Sequence, residues 1–420
     1  MTLIRVRGWL LVPILLFVAG CSRDRETGPP RFLAITHAAL NRLTFFDPDT
    51  RTVVGALPTQ KLPHDMLVSG DRSRLYVVGS GSQSISVYAL DNPELWKAAA
   101  AFLVSDSTRK QRGGKQTAEM FEEEHTDTLR DSGSTYLNRD PVQRLPAGVV
   151  RHVLTSARFP DGPAERHRSV GAMSHTSCFD CHDRSVGGKP FGPMFLPGEK
   201  ELVLVHLAYR TITFLDARTL ACTREIPLPL DTHYAPVEIW VDSSQTVAFV
   251  TCRNEIGERR PGLILVIDLR TGELLTSITT GIYPWHMVPD RTGRHLFVNY
   301  FQSSRIGVVD IGTRTIVDSL IVQNGPADMK VLPGTDILLV TCFYTDTLLW
   351  VNTRSGVVEH AVGVDTNPTS VETSPDGRHL YVLCGGESSL VVVDAPSFAV
   401  QERYPLLFGA YAFRFVDRTH

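Results

Sequence analysis

Prolines at 284, 326 and 368 and closing residues at 310, 352 and 394 both recur every 42 residues. Inside one such unit, Pro368 is followed by a Ser374-Pro375-Asp376-Gly377 turn, the strand-like run Leu380-Tyr381-Val382 and the run Leu390–Asp394. Four short β runs at this period specify a β-propeller, because each unit exposes apolar faces that only its neighbours can bury. Counting the closing residue gives Asp47, Asp91, Asp216, Asp268, Asp310, Asn352 and Asp394, hence an all-β fold of seven blades. The first unit lacks a proline-led strand, and a spare strand stands at the other end, Gly409–Val416. The C-terminal strand is therefore expected to be the innermost strand of blade 1, closing the ring and removing open sheet edges.

The segments Ser374–Val382 and Val391–Asp394 resemble the YVTN family of bacterial propellers, and the resemblance covers nearly all of residues 31–416 outside one insertion. It implies the propeller fold. It implies no single activity, since such propellers serve as surface, binding or scaffold proteins and also occur in haem-handling proteins.

Asp91 to Asp216 spans 125 residues, about 83 more than one period. With the outer strand of blade 2 expected near Trp96–Val104 and blade 3 starting at Pro190, the insertion is expected at 106–189, irregular or partly helical, between blades 2 and 3. Propeller blades 1–2 then occupy 31–105, and blades 3–7 with the closing strand occupy 190–420. A smaller excess falls between Cys252 and Asp268, sixteen residues where other blades take ten, and carries Arg253, Glu255 and Arg260. Both elaborations are expected on one face.

The insertion holds Cys178-Phe179-Asp180-Cys181-His182, the C-x-x-C-H attachment signature of a c-type haem. On one helical turn Cys178, Cys181 and His182 share a face, so two thioethers and an iron ligand can form together. With 7 Cys and 14 His in 420 residues, random drawing yields roughly 0.004 such motifs. Zinc is the alternative, with His167 and His175 completing a tetrahedral set. Only seven residues separate His182 from Pro190, so the downstream half of a small cytochrome is missing. A second axial ligand is expected from upstream, from the blades, or not at all. Met173, His175, Met194 and His286 are the distal candidates, with His64, Met66 and Met287 also near the channel.

At the N-terminus, Arg5 and Arg7 precede the apolar run Trp9–Val18, which is too short for a membrane span. The following Val18-Ala19-Gly20-Cys21 resembles a bacterial lipobox. That resemblance implies a signal peptide over 1–20, lipidation of Cys21, a solvated tether over 21–30, and residence on the periplasmic side of the outer membrane or at the cell surface. Export suits covalent haem attachment in bacteria. The formal charge of −3 and the lack of a basic tract exclude nucleic acid as a partner. Cys222, Cys252, Cys342 and Cys384 form no disulfide framework; three of them occupy one repeated slot, shared with Tyr300, and are expected as free, buried, unreactive thiols.

The third residue of each proline-led strand reads Asp65, Gly192, Glu238, His286, Asp328 and Ser370, and this set is expected to rim the central channel. Two functions fit. One is a membrane-anchored monomer with a single haem c, passing electrons to a partner protein or reducing a small oxidant. The other is a non-catalytic binding or scaffold propeller with a structural or sensory haem or metal. No Ser-His-Asp or nucleotide-binding motif supports a hydrolase or dehydrogenase, so an enzymatic role is left open and a binding or electron-transfer role is favoured.

Overall fold

The computed structural model describes residues 31–81, 84–112, 149–153, 189–255 and 260–418, with side chains of the helix described to Val104. Seven four-stranded antiparallel sheets form the blades, the arrangement the 42-residue period demands. The innermost strands are Pro63–Val68, Pro190–Phe195, Tyr234–Val241, Pro284–Pro289, Pro326–Val331, Pro368–Thr373 and, for blade 1, the C-terminal Ala410–Asp417. That last strand pairs with Arg31–His37 from the start of the propeller, running from Arg31 opposite Asp417 to His37 opposite Ala410. The ring is thus closed by the two ends of the chain.

The second and third strands of each blade are the apolar core. In Leu380–Cys384 every side chain lies at 8% exposure or less, because both faces of the strand meet a neighbouring blade. The repeated slot at the end of the second strand holds Cys252, Cys342 and Cys384 as free buried thiols, while Cys222 is free and exposed. Burial pushes the Cys342 thiol up to about 12, so it stays protonated and unreactive at neutral pH. In blade 5 the slot holds Tyr300, and two glycines make its room. A Cβ on Gly307 would sit 2.0 Å from the Tyr300 hydroxyl oxygen, and one on Gly281 would sit 2.3 Å from its ring.

The closing residue has a local role in the six blades other than blade 2. The Asp216 Oδ1 accepts from the backbone N–H groups of Arg218 (3.1 Å) and Thr219 (2.7 Å), and Asp268 and Asn352 accept equivalent pairs. These are Asx turns that fix the hairpin between third and fourth strands; blade 2, where a helix follows instead of a hairpin, has Ala89 at this register position and not the expected Asp91.

Blade 2 departs from expectation. Residues Pro93–Arg112 form a helix, not the outer strand expected at Trp96–Val104, and the fourth strand of blade 2 is Val149–Val153. The inserted chain therefore interrupts blade 2 before its outer strand, so neither the boundary at 105 nor an uninterrupted insertion from 106 to 189 holds. The helix covers blade 1. Its Leu95, Trp96 and Ala99 are buried, and the Trp96 ring lies 4.8 Å from Phe45 and 5.4 Å from Phe32. Gly55 permits this approach, since a Cβ there would stand 2.9 Å from the Ala99 Cβ.

Strand direction assigns each connection to a face. Pro63 lies opposite Gly79, Gly79 opposite Ser84, and Ser84 opposite Val153, so all four mark the face where inner strands begin, here called the upper face. Val149, opposite Tyr88, marks the lower face. The chain leaves blade 2 after Ala89 below and re-enters at Val149 below, whereas Val153 and Pro190 both lie above. The two halves of the added sequence thus attach to opposite faces, not to one.

Candidate functional site at the upper mouth of the channel

The six proline-led inner strands each carry a register shift close after their proline. In blades 2, 4, 6 and 7 the shift falls between Pro63 and Asp65, Pro236 and Glu238, Pro326 and Asp328, and Pro368 and Ser370. Such a bulge re-aims consecutive side chains. The residue after the proline packs between blades: His64, Val237, Ala327 and Thr369 are each at 8% exposure or less. The residue after that reaches the channel, and Asp65, His286, Asp328 and Ser370 line one cavity with His64, Trp285, Thr369, Tyr411 and Arg414. Its volume is about 40 Å³, room for one or two waters.

The channel carboxylates lock neighbouring blades together. Asp65 Oδ2 accepts from the Gly192 N–H of blade 3 (3.1 Å), Glu238 Oε2 from the Met287 N–H of blade 5 (2.6 Å), and Asp328 Oδ2 from the Val371 N–H (2.9 Å) and Ser370 hydroxyl (2.9 Å) of blade 7. Blade 3 contributes no side chain to the ring. Gly192 has φ +56°, and a Cβ there would lie 2.8 Å from the Glu238 Cα. Deeper in the channel Glu372 pairs with Lys330 and with Arg414 Nη1, the latter at 3.1 Å.

His286 Nδ1 stands 3.2 Å from Glu238 Oε1. Burial works against its charged form, but Glu238, Asp328 and Asp65 face it together and raise it to about 9. Glu238 is itself pushed up by burial, so its own solvation cost offsets part of the gain from the pair. The imidazolium is the better-supported state, because three carboxylates converge on it. Asp65 resists its burial and is held down to about 2, chiefly by the adjacent His64 and then by His286 and the Gly192 N–H.

A stability slope follows. A histidine raised from its ordinary 6.5 to about 9 contributes stability in full below 6.5, and loses it as pH rises through 9. The upper bound of the effect is about 3 kcal/mol, lowered because the His286 side chain is 32% exposed to channel solvent. Thermal melting from pH 6 to 10 is expected to show a decline that His286→Gln abolishes. An unchanged slope in that variant would remove His286 as its source.

The remaining expected ligands separate clearly. Met66 and Met287 are buried in the blade cores, and Met194 packs half-buried against the cluster of blades 3 and 4. His286 is held by Glu238. Cys178, Cys181, His182, Met173, His175 and Cys21 lie outside the described residues. Among the described residues no three His, Cys, Asp or Glu side chains gather as a metal site.

His64, expected near the channel, lines the upper cavity but is buried. It is 8% exposed, wedged among the rings of Tyr411 (4.0 Å between centroids), Phe191 (4.5 Å) and Trp285 (6.4 Å). Asp65 Oδ1 stands 3.2 Å from Nδ1, within ion-pair distance, and Nε2 has no hydrogen-bond partner. Arg253, expected in an exposed loop, is instead 5% exposed; it donates to the Tyr283 hydroxyl (2.5 Å) and to Glu255 (3.1 Å) and packs over the Tyr283 and Trp285 rings.

No family model and no curated protein sequence matches the chain. Solved structures do. The periplasmic gluconolactonase PpgL of Pseudomonas aeruginosa is similar at TM-score 0.59 and 12% identity, over 92% of this chain and 99% of its own. A functionally unknown protein from Desulfotomaculum acetoxidans DSM 771 is similar at 0.57 and 13%, over 92% and 99%. Dihydro-heme d1 dehydrogenase NirN, in complex with DHE, is similar at 0.54 and 13%, over 94% and 77%. At such identities the likeness establishes one thing, that this chain folds as a β-propeller.

Proposed function

We propose that this protein is an exported, lipid-anchored propeller of YVTN type that carries one covalent c-type haem over its upper face and works in electron transfer or small-oxidant reduction. The observation that carries the reading is topological. Val153 and Pro190, the strand residues flanking the C-x-x-C-H segment, both stand on the upper face, and Pro190 is eight residues after His182. Eight extended residues reach about 28 Å, so a haem on Cys178 and Cys181, with His182 on its iron, stays within reach of the channel mouth. When bound, such a group supplies one-electron chemistry. One structural neighbour is by its name a dehydrogenase of dihydro-haem d1, which is compatible with a propeller serving haem chemistry.

A ligand held in the channel itself is less well supported, because a cavity of about 40 Å³ is far below the few hundred Å³ of small-molecule sites. A lipid anchor at Cys21 would join the propeller on its lower face. Arg31 starts its strand on the lower face, opposite Asp417. A ten-residue tether from an acylated Cys21 therefore joins the lower face to the bilayer, at most about 35 Å away. The haem face then points away from the membrane, toward a soluble redox partner.

The test is to express the full chain with a c-type haem maturation system, fractionate the cells and record visible spectra. The expected result is a membrane-bound protein whose Soret band survives acid–acetone extraction, and which becomes soluble when Cys21 is replaced by Ser. A colourless protein would sink the haem reading, and a Cys21→Ser variant that stays on the membrane would sink the anchor.

A further inference from the structure

We infer that an arc of apolar side chains at the lower rim of blades 4, 5 and 6 rests in the surface of a phospholipid bilayer; the choice of a bilayer as occupant rests on the anchor reading above. The outer strands of these blades are Leu274–Ile282, Thr315–Ile321 and Val357–Gly363. Leu274 lies opposite Ile267, Thr315 opposite Asp310 and Val357 opposite Asn352, so all three strands begin on the lower face. Leu274, Leu275, Ile316, Val317 and Val357 fall within the first three residues of their strands, and each is between 37% and 56% exposed. Single exposed aliphatic side chains are ordinary, but the same end of three consecutive blades carrying them marks a contact surface. In blade 1, by contrast, the outer strand Thr52–Pro58 is covered by the helix Pro93–Arg112.

The place of the arc in the ring points to the bilayer. Inner strands of consecutive blades touch in chain order, ending with Pro368–Thr373 against Ala410–Asp417, so blade 1 stands across the channel from blades 4 and 5. The chain leads back toward Cys21 from Arg31, at the lower end of blade 1. A tether there holds one side of the lower face, and the arc meets the same surface on the other side. A flexible tether alone leaves the tilt of the ring free. A second contact on the opposite side fixes it and keeps the upper face turned outward.

The charges beside the arc are layered as a lipid interface requires. In the lower turns of the same blades the side chains of Arg270, Arg294 and Arg354 are 83%, 72% and 71% exposed, whereas their partners Asp268, Asp310 and Asp336 are 22%, 7% and 30% exposed. The guanidinium groups are thus outermost and meet lipid phosphates before the carboxylates do. Glu273 is the one exposed carboxylate in these turns. Above the arc the outer strands become polar, with Ser277, Asp318 and Glu359 exposed. Those charges limit the contact to the lower end of each strand, and they guard the strand edges against pairing with a second copy of the chain.

The experiment titrates the mature chain from Ser22, exported behind a cleavable signal so that neither acyl group nor leader remains, with vesicles of phosphatidylethanolamine and phosphatidylglycerol. Reversible binding is expected with half-saturation at millimolar lipid, weak enough that cell fractionation releases an unacylated chain. The combined variant Leu275→Ser, Val317→Ser, Val357→Ser should lose at least about tenfold in affinity. Ile321→Ser should bind as the parent does, because Ile321, at 64% exposure, stands at the upper end of the strand that carries Val317. With phospholipid brominated in its acyl chains, Val317→Trp should add quenched fluorescence to the parent signal, and Ile321→Trp should add unquenched fluorescence. Thermal melts confirm that each variant is folded. No binding at millimolar lipid, equal binding by the combined variant, or sedimentation showing a dimer that the combined variant dissolves would each overturn the inference. The anchor reading fails separately: a full chain that is never acylated would overturn the anchor, while vesicle binding lost in the combined variant would still uphold the arc.

Discussion

Ending the chain at Gly409 is expected to abolish cooperative folding. The residues lost form the innermost strand of blade 1, the first strand in space although the last in sequence. It pairs with Arg31–His37 along its length and contacts the inner strands of blades 2 and 7. Its Phe413 and Val416 are fully buried, Asp417 pairs with Arg31 (3.4 Å) and with Arg72, and Arg414 reaches Glu372 in the channel. Truncating a buried phenylalanine alone costs about 3–5 kcal/mol, against a total stability of about 5–15 kcal/mol for an ordinary domain. Removing the whole strand exceeds that margin and leaves Arg31–His37 as a bare edge ready to pair with another chain. Circular dichroism and size exclusion should therefore find the truncated protein without a sharp transition and aggregated, and Phe413→Ala folded with a lower melting temperature. A truncated chain that melts at the wild-type temperature would show that blade 1 does not need this closure.

The ring was legible because a 42-residue period forces each proline, turn and closing Asp to recur in one spatial position. Blade 2 was misread for the opposite reason. Its outer strand lies beyond the helix Pro93–Arg112, so searching one period ahead lands on the wrong element. The helix did announce itself: the Asn92 side chain caps the Glu94 N–H at 3.0 Å, Pro93 opens the first turn, and Ala98–Ala101 is a run of strong helix formers. The strand announced itself too, as the β-branched run Val149-Val150-Arg151-His152-Val153.

The site was legible in part. The third residue of each proline-led strand pointed to Asp65, His286 and Asp328 at one register position, and the structure gathers those three around one cavity. What sequence could not give was the bulge after each proline, because a two-against-one pairing depends on the partner strand and not on local composition. The bulge turns His64 away from solvent and into the aromatic wedge, and the closing strand from the far end of the chain brings Tyr411 against it and Arg414 into the same cavity. Neither contact has a signal within the unit that contains His64.

Replacing both Cys178 and Cys181 by Ser is expected to remove covalent haem completely while leaving the propeller's melting temperature close to that of a haem-free wild type. Among the described residues the seven four-stranded sheets are complete, and from the stretch between the helix and Lys189 they take Val149–Val153. The ring is held by its own hydrogen bonds, its inter-blade carboxylate clasps and its closing strand, all present in the variant. Cofactor and scaffold are thus separable, and the same variant distinguishes the two metals the motif could serve. A structural zinc contributes folding free energy directly, so under that alternative the double variant, or a chelator added to wild type, would lower the melting temperature sharply without any change in a visible spectrum. A haem held over a self-sufficient ring gives the reverse: colour lost and the haem-free ring's stability kept. Stoichiometric zinc with no Soret band would decide for the metal. Covalent haem in wild type, none in the variant, and chelator-insensitive melting in both would decide for haem carried by a self-sufficient ring.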